Sequence, residues 1–303
     1  MKFDFLSKND QALYISKAKT LAEALPYIRE HSGKKIVIKY GGNAMINPSL
    51  SKSFCQDVGL LKEVGIHPII VHGGGPQIGN ILKEKKIKNK FIQGLRVTDK
   101  RIVKIVEKVL SKDINLEIVN QIKSTGGKAK SLSGHLNGLI EAEKLNLRIK
   151  NSDSNIEKIL DIGFVGKPKK INYDLIKKNI LKGQIPVIAP LGKDKKGNVY
   201  NINADTVAGS IASAIKADKL LLLTDVAGIL DKDKKLIPFL SLTKTKKIIN
   251  KDFIIGGMKP KIETCINAIN KGVKEATILD GRIPHSLILE LFTEHGIGTQ
   301  IYS

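Results

Sequence analysis

The chain has 303 residues, 42% of them hydrophobic, which provides for a sizeable core and excludes wholesale disorder. Its 51 Lys+Arg against 29 Asp+Glu give a net charge of +22, yet only five of the cations are arginine, tryptophan is absent and aromatics make up 5%. Scattered lysines without the planar arginine fork or stacking aromatics argue against nucleic acid as a partner. No apolar run approaches the ~18 residues of a membrane helix, and the opening MKFDFLSKND lacks the apolar segment of a secretory leader, so a cytoplasmic location and no membrane partner are expected.

In chain order, residues 11–25 place Leu13, Ala18, Leu21 and Leu25 on a loose helical stripe, with Asn9 or Asp10 as its cap and Pro26 as its breaker or kink. Residues 35–40 form a β-branched run that ends at Gly41-Gly42. Helical periodicity over 51–64 leads to the apolar run 69–71, the glycines Gly73-Gly74-Gly75 and a helix over 77–86. Residues 99–123 read as one long helix, whereas 129–170 break the rhythm and read as inserted hairpins. Helices over 173–182, 205–216 and 260–271 then alternate with apolar strands over 185–189, 219–224 and 276–279. Apolar strands without polar alternation, separated by helices, predict an α/β fold with a mostly parallel sheet covered on both faces.

The glycine clusters Gly41-Gly42, Gly73-Gly74-Gly75 and Gly256-Gly257 are read as lying just past strand ends. Ligands of open parallel sheets bind there, glycine lets backbone N–H groups reach an anion, and a helix N-terminus adds about half a positive charge. A phosphorylated ligand is therefore expected. The chain has no GxxxxGK[ST], no GxGxxG with its acidic partner, no HRD or DFG and no GxSxG, so Walker, dinucleotide, protein-kinase and serine-hydrolase sites are unsupported. Cys55 and Cys265 have no CxxC partner and the six histidines lack ligand spacing, so neither a disulfide framework nor a protein-built metal site is expected.

Lys39 stands in an otherwise apolar strand, where burial is costly unless an anion faces it. Lys261 opens a helix at the end the helix dipole makes unfavourable for a cation, and a phosphoryl group between the two lysines explains both. Asp205 opens another helix, either as its N-cap or as a charge partner, and Arg96 is either a carboxylate clamp or a surface arginine.

Together Lys39-Tyr40-Gly41-Gly42-Asn43-Ala44-Met45, Val71-His72-Gly73-Gly74-Gly75-Pro76-Gln77-Ile78, Gly94-Leu95-Arg96-Val97-Thr98-Asp99, Asn201-Ile202-Asn203-Ala204-Asp205 and Gly256-Gly257-Met258-Lys259-Pro260-Lys261 resemble the acetylglutamate kinases of the amino-acid kinase family. The similarity runs from about residue 24 to 301, and the combination of HGGGPQI, GLRVTD and NINAD is its most specific part. It implies a two-lobed αβα sandwich: a regulatory or oligomerisation helix over 1–30, an acetylglutamate-binding and dimerising lobe over 31–195, and an ATP-binding lobe over 196–303.

The activity implied is transfer of the ATP γ-phosphoryl group, with magnesium carried by the nucleotide, to the side-chain carboxylate of N-acetyl-L-glutamate in arginine biosynthesis. A related acyl amino acid such as an aminoadipate derivative is the alternative acceptor. By motif position Lys39 and Lys261 stabilise the transition state and Asp205 holds them, while Gly74, Gly75, Arg96, Asn201 and Asn203 bind acetylglutamate. Gly41, Gly42, Asp225, Gly228, Gly256 and Gly257 would face the nucleotide.

The two ends resemble arginine-inhibited members. That likeness implies Tyr27, His285, Glu290 and Gly296 around an inhibitory arginine, and a homo-oligomer, dimer or hexamer. A nitrogen-signalling regulator protein is a further partner implied by relatives in some photosynthetic organisms. Ser133-Gly134-His135-Leu136-Asn137-Gly138 departs from the Gly-Lys-Asp turn of related enzymes.

Overall fold

A computed structural model describes residues 3–151 and 154–303. Ser7 accepts the Asp10 N–H at 3.1 Å and so caps α1 (Lys8–His31) ahead of Asn9 and Asp10, the caps expected from sequence. Pro26 does not end this helix. The proline removes one hydrogen bond to Ala22, and Ala22 is exposed, so water can take the freed carbonyl. After β1 (Lys35–Tyr40), α2 (Pro48–Glu63) starts where Asn47 Oδ1 accepts the Ser49 and Leu50 N–H groups. Then follow β2 (His67–His72), α3 (Gly75–Glu84) and a small hairpin of β3 (Phe91–Ile92) and β4 (Leu95–Arg96).

Asp99 caps α4 (Lys100–Lys108) by accepting the Arg101 and Ile102 N–H groups. The single helix expected over 99–123 is interrupted by a π-helical stretch, Val109–Ile114, before α5 (Asn115–Ser124). A π turn shifts the helical phase by one residue without changing the apolar pattern, so periodicity did not reveal it. β5 (Ala129–Ser133) is no hairpin strand, as expected for 129–170, but joins the edge of the main sheet, parallel to a later strand. The remaining elements are β6 (Ile140–Asn151), β7 (Ser154–Ile171), α6 (Tyr173–Leu181), β8 (Ile185–Ala189), β9 (Leu191–Lys193), β10 (Val199–Ile202), α7 (Ala204–Ile215), β11 (Lys219–Thr224), β12 (Phe239–Ser241), α8 (Leu242–Ile248), α9 (Met258–Asn270), β13 (Glu275–Asp280), α10 (Ser286–Leu291) and β14 (Thr299–Tyr302).

Eight strands form one sheet in the order β12-β14-β13-β11-β1-β2-β8-β5, and β6, β7, β9 and β10 close into a small ring beside it. Among the described residues, only the β13–β14 pairing in the large sheet is antiparallel. The sheet passes without a break from strands before residue 195 to strands after it. β1 sits at the switch point: β2 lies on one side and β11 on the other, both parallel to it, with Lys39 level with Val71 and Leu222. Their carboxyl ends therefore open onto one crevice, the place where this topology puts a ligand.

Period-two alternation decides which face each β1 side chain meets. Ile36, Ile38 and Tyr40 enter the core under α2 and α5, whereas Val37 enters the core under α7 and α9. Lys39 shares the face of Val37 and points under the helices that carry Asp205 and Lys261. Gly209 lets those helices close: a Cβ there would lie 2.6 Å from Thr264 Cγ2. Gly209→Val is expected to force α7 and α9 apart and lower the thermal midpoint, at a cost of about 1–3 kcal/mol. An unchanged midpoint in thermal unfolding would refute this packing role.

Candidate active site

Asp205 is the hinge of the site. The α7 N-cap is Asn203, whose Oδ1 accepts the Thr206 N–H at 3.1 Å, so Asp205 is not needed as a cap and turns inward from the first turn. Lys261 Nζ donates to Asp205 Oδ2 at 2.6 Å, and Lys39 Nζ lies 3.4 Å from Oδ1, so one carboxylate bridges two cations. Lys39 also donates to the Leu223 carbonyl at 3.3 Å. Lys39 and Asp205 are buried. Burial pushes the Lys39 ammonium below its ordinary value, while the Asp205 charge opposes that fall. For Asp205 burial acts upward, but the two lysines together outweigh it and hold the carboxyl below the usual carboxylate range.

The lysines face a cleft of about 320 Å³ whose opposite wall is the turn after β2. Gly41, Gly42, Gly74, Gly75, Arg96, Asn201, Asn203, Asp205, Lys39 and Lys261, all singled out from sequence, line this one cleft. At Gly41 a Cβ would lie 2.7 Å from Lys39 Nζ, so a side chain there would push the ammonium from its place. At Gly75 nothing of the protein lies within 4 Å of such a Cβ, so that position is open to a ligand.

Arg96 is buried, and sequence pattern missed what holds it there. Gln93 and Gly94, with φ of 48° and 76°, form the tight turn of the β3–β4 hairpin, which sets Phe91 opposite Arg96. The guanidinium stacks 4.8 Å from the Phe91 ring centroid, donates to the Gly75 carbonyl at 2.8 Å and contacts Asn89. The Gln-Gly pair before Leu95-Arg96 was the available signal for this hairpin. Burial strips water from the guanidinium and so lowers the Arg96 pKa, and an anion in the cleft would compensate the lost solvation.

Other expected site residues lie elsewhere. Asp225 accepts the Asn43 N–H at 2.9 Å and crowds Gly42, whose φ of 73° and contact with that carboxylate both require glycine. Gly228 packs on β14, where a Cβ would meet Thr299 Oγ1 at 2.6 Å. Gly256 and Gly257 open α9 and follow α8, not a strand as expected. Tyr27, Glu290 and Gly296 line a second cavity of about 200 Å³ together with Glu30, Glu275 and Lys219. His285 is not with them: its Nδ1 lies 2.6 Å from Asp57 on α2, which holds the imidazole on another face. In the 133–138 segment, His135 bridges Ser133 Oγ at 3.0 Å and Glu107 at 3.1 Å, outside the cleft.

A parallel sheet with a paired cation site at its switch point defines a phosphoryl-transferring α/β class, and residues 34–280 match the model of the Amino acid kinase family. Over 288 residues the chain is 54% identical to Acetylglutamate kinase of Rhodospirillum centenum, covering 95% of this chain and 94% of that one. Over 289 residues it is 50% identical to Acetylglutamate kinase of Zymomonas mobilis, covering 95% and 96%. The chain belongs to the amino-acid kinase family, among its acetylglutamate kinases. Among solved structures it is similar to N-acetylglutamate synthase from Neisseria gonorrhoeae complexed with coenzyme A and N-acetyl-glutamate, at TM-score 0.81 and 25% identity over 94% of this chain, which spans 63% of the synthase chain. Giardia carbamate kinase shares the fold at TM-score 0.63 and 16% identity, covering 89% of this chain and 99% of that one.

A carboxyl whose pKa is depressed on folding adds stability above its unfolded value, near about 3.9, and loses it as pH falls through the folded value. Asp205→Asn is accordingly expected to lower the thermal midpoint at neutral pH by leaving the buried Lys39 and the half-buried Lys261 ammonium groups face to face, on the order of 3 kcal/mol. The gap to wild type should shrink on acidification below the ordinary carboxylate range. A gap independent of pH would show that the charge of Asp205 is not what stabilises the site.

Proposed function

We propose that the chain transfers the γ-phosphoryl group of ATP to the side-chain carboxylate of N-acetyl-L-glutamate, giving N-acetyl-L-glutamyl 5-phosphate in arginine biosynthesis. The observation that carries this reading is the Lys39–Asp205–Lys261 bridge facing the glycine turn across one cleft. A carboxylate acceptor, with an ordinary pKa near about 4.3, is already ionised at neutral pH and needs no general base. The obstacle is charge: an anion attacks an anion, and negative charge spreads over the transferring oxygens. Lys39 and Lys261 supply cations preset by Asp205, so no reorganisation is needed as that charge develops.

Gly74 and Gly75 offer backbone N–H groups to the acyl and phosphoryl oxygens, and Arg96 holds the α-carboxylate through its fork. Asn201 and Asn203 supply amides on the remaining wall. Gly41 and Gly42, with Asp225 fixing their turn, and Gly256-Gly257 at the α9 N-terminus border the nucleotide. The donor set fits a magnesium ion carried by ATP: Asp205 is already engaged by both lysines, so phosphate oxygens and water are left to ligate the ion. When bound, magnesium neutralises part of the nucleotide's phosphate charge.

The carboxylates of Glu30, Glu275 and Glu290 beside Tyr27 and Gly296 support arginine as a ligand of the second cavity, and hence as an inhibitor. The exposed Leu13, Tyr14, Ile15, Leu21 and Leu25 of α1 support a homo-oligomer in which this helix is covered.

Lys39→Ala and Lys261→Ala are each expected to lower kcat by at least about 10²-fold in an ADP-release assay with acetylglutamate, the scale of losing one transition-state donor. Near-normal turnover in either variant would refute its role. The same assay should show ADP release with N-acetylglutamate exceeding that with an aminoadipate derivative, and inhibition as arginine is titrated in. The reverse preference, or indifference to arginine, would contradict the corresponding part of this reading.

A further inference from the structure

The turn that carries Gly74 and Gly75 is gripped from the sheet face opposite Lys39. His72, the last residue of β2, is completely buried and alternates with Ile70 toward the α5 side of the sheet. Its Nδ1 lies 2.8 Å from the Gly73 carbonyl, and its Nε2 lies 3.1 Å from Asn115 Nδ2. Asn115, equally buried, is the first residue of α5 after the π-helical stretch. Its amide also reaches the Val187 carbonyl at 3.0 Å and the Leu132 carbonyl at 3.2 Å.

Two carbonyls identify the group facing them as the amide nitrogen, whose two N–H groups would oppose a proton on His72 Nε2, while Nδ1 faces a carbonyl that can only accept, so Nδ1 carries the proton. That proton then points at the Gly73 carbonyl, the group that can receive it. Burial pushes the His72 pKa down to about 4, so the imidazole is neutral at neutral pH. In a trans peptide C=O and N–H point opposite ways, so pinning the Gly73 carbonyl inward aims the Gly74 N–H outward. Among the described residues neither the Gly74 nor the Gly75 N–H has an acceptor within the protein. The π stretch presses on the same turn, since a Cβ at Gly74 would lie 2.5 Å from Leu110 Cδ2 and 2.6 Å from Ile114 Cδ1.

We propose that His72 and Asn115 are positioning residues which lock the Gly73–Gly74 peptide so that the Gly74 N–H faces the transferring group. This rests on the phosphoryl-transfer reading above and deepens it. The pair touches no substrate. It acts by denying the peptide the freedom to flip, so its loss removes a donor aimed at the transition state while leaving the nucleotide-binding lobe intact.

Asn115→Leu keeps the volume and removes the donor, and His72→Phe keeps a ring and removes both nitrogens. Each is expected to lower kcat by about tenfold or more with KM for ATP within about twofold, and the double variant should be little worse than either single one. His72→Asn, whose amide can still donate to the Gly73 carbonyl, should recover most of the lost kcat. Folded Asn115→Leu with wild-type kcat, or losses that multiply in the double variant, would overturn the proposal. If Asn115→Leu does not fold, Asn115→Ala takes its place under the same criteria. Nitrogen-15 NMR of histidine-labelled wild type needs no variant and no turnover. It should find His72 neutral with the proton on Nδ1, and a proton on Nε2 overturns the proposal. Absence of ADP release with acetylglutamate in wild type would instead refute the assigned reaction and leave the imidazole result to decide the positioning claim.

Discussion

One buried carboxylate between two lysines organises this molecule. Two ammonium groups on the same side of a sheet repel each other, and Asp205 is the carboxylate that both reach, 3.4 Å from Lys39 Nζ and 2.6 Å from Lys261 Nζ. Each member comes from a different element: the end of β1, the first turn of α7 and the first turn of α9. The bridge therefore holds only if those three elements meet closely, which the absence of a side chain at Gly209 permits. The site and the core thus impose the same packing.

The opposite wall of the cleft depends on a different kind of constraint. The turn after β2 carries no charge, and its usefulness lies in the direction of its N–H groups. That direction is set from behind by a neutral imidazole, a buried amide and a π-helical stretch leaning on Gly74. Fixed cations on one wall and fixed dipoles on the other suit a reaction whose difficulty is accumulated negative charge, with no proton to be moved by the protein.

Much of this was legible in the chain itself. β1 and β11 fall on the residues expected because a continuous apolar run bounded by glycine or polar residues has one reading in a covered parallel sheet. Lys39 and Lys261 were legible because each breaks a local rule, and a site is where such violations collect. What escaped reading was tertiary. The π stretch leaves the apolar period of 100–124 intact, Pro26 is tolerated because its outer face meets water, and β5 looks like any short strand until β8 pairs with it. His285 was grouped with Tyr27 by likeness, but its partner Asp57 lies on α2, a pairing across 228 positions that no local pattern carries. The net charge of +22 proved a poor guide, because the lysines that line the cleft are two of many.

On this mechanism the transferred phosphoryl group lies against the two lysines that Asp205 holds. A crystal structure of the full chain with magnesium ADP, aluminium fluoride and N-acetylglutamate tests it most directly. The planar fluoride should lie between the acceptor carboxylate and ADP, with Lys39 and Lys261 Nζ both within about 3 Å of its ligands and Asp205 still joining them. A fluoride group held away from these lysines, or an Asp205 that has released both, would contradict it.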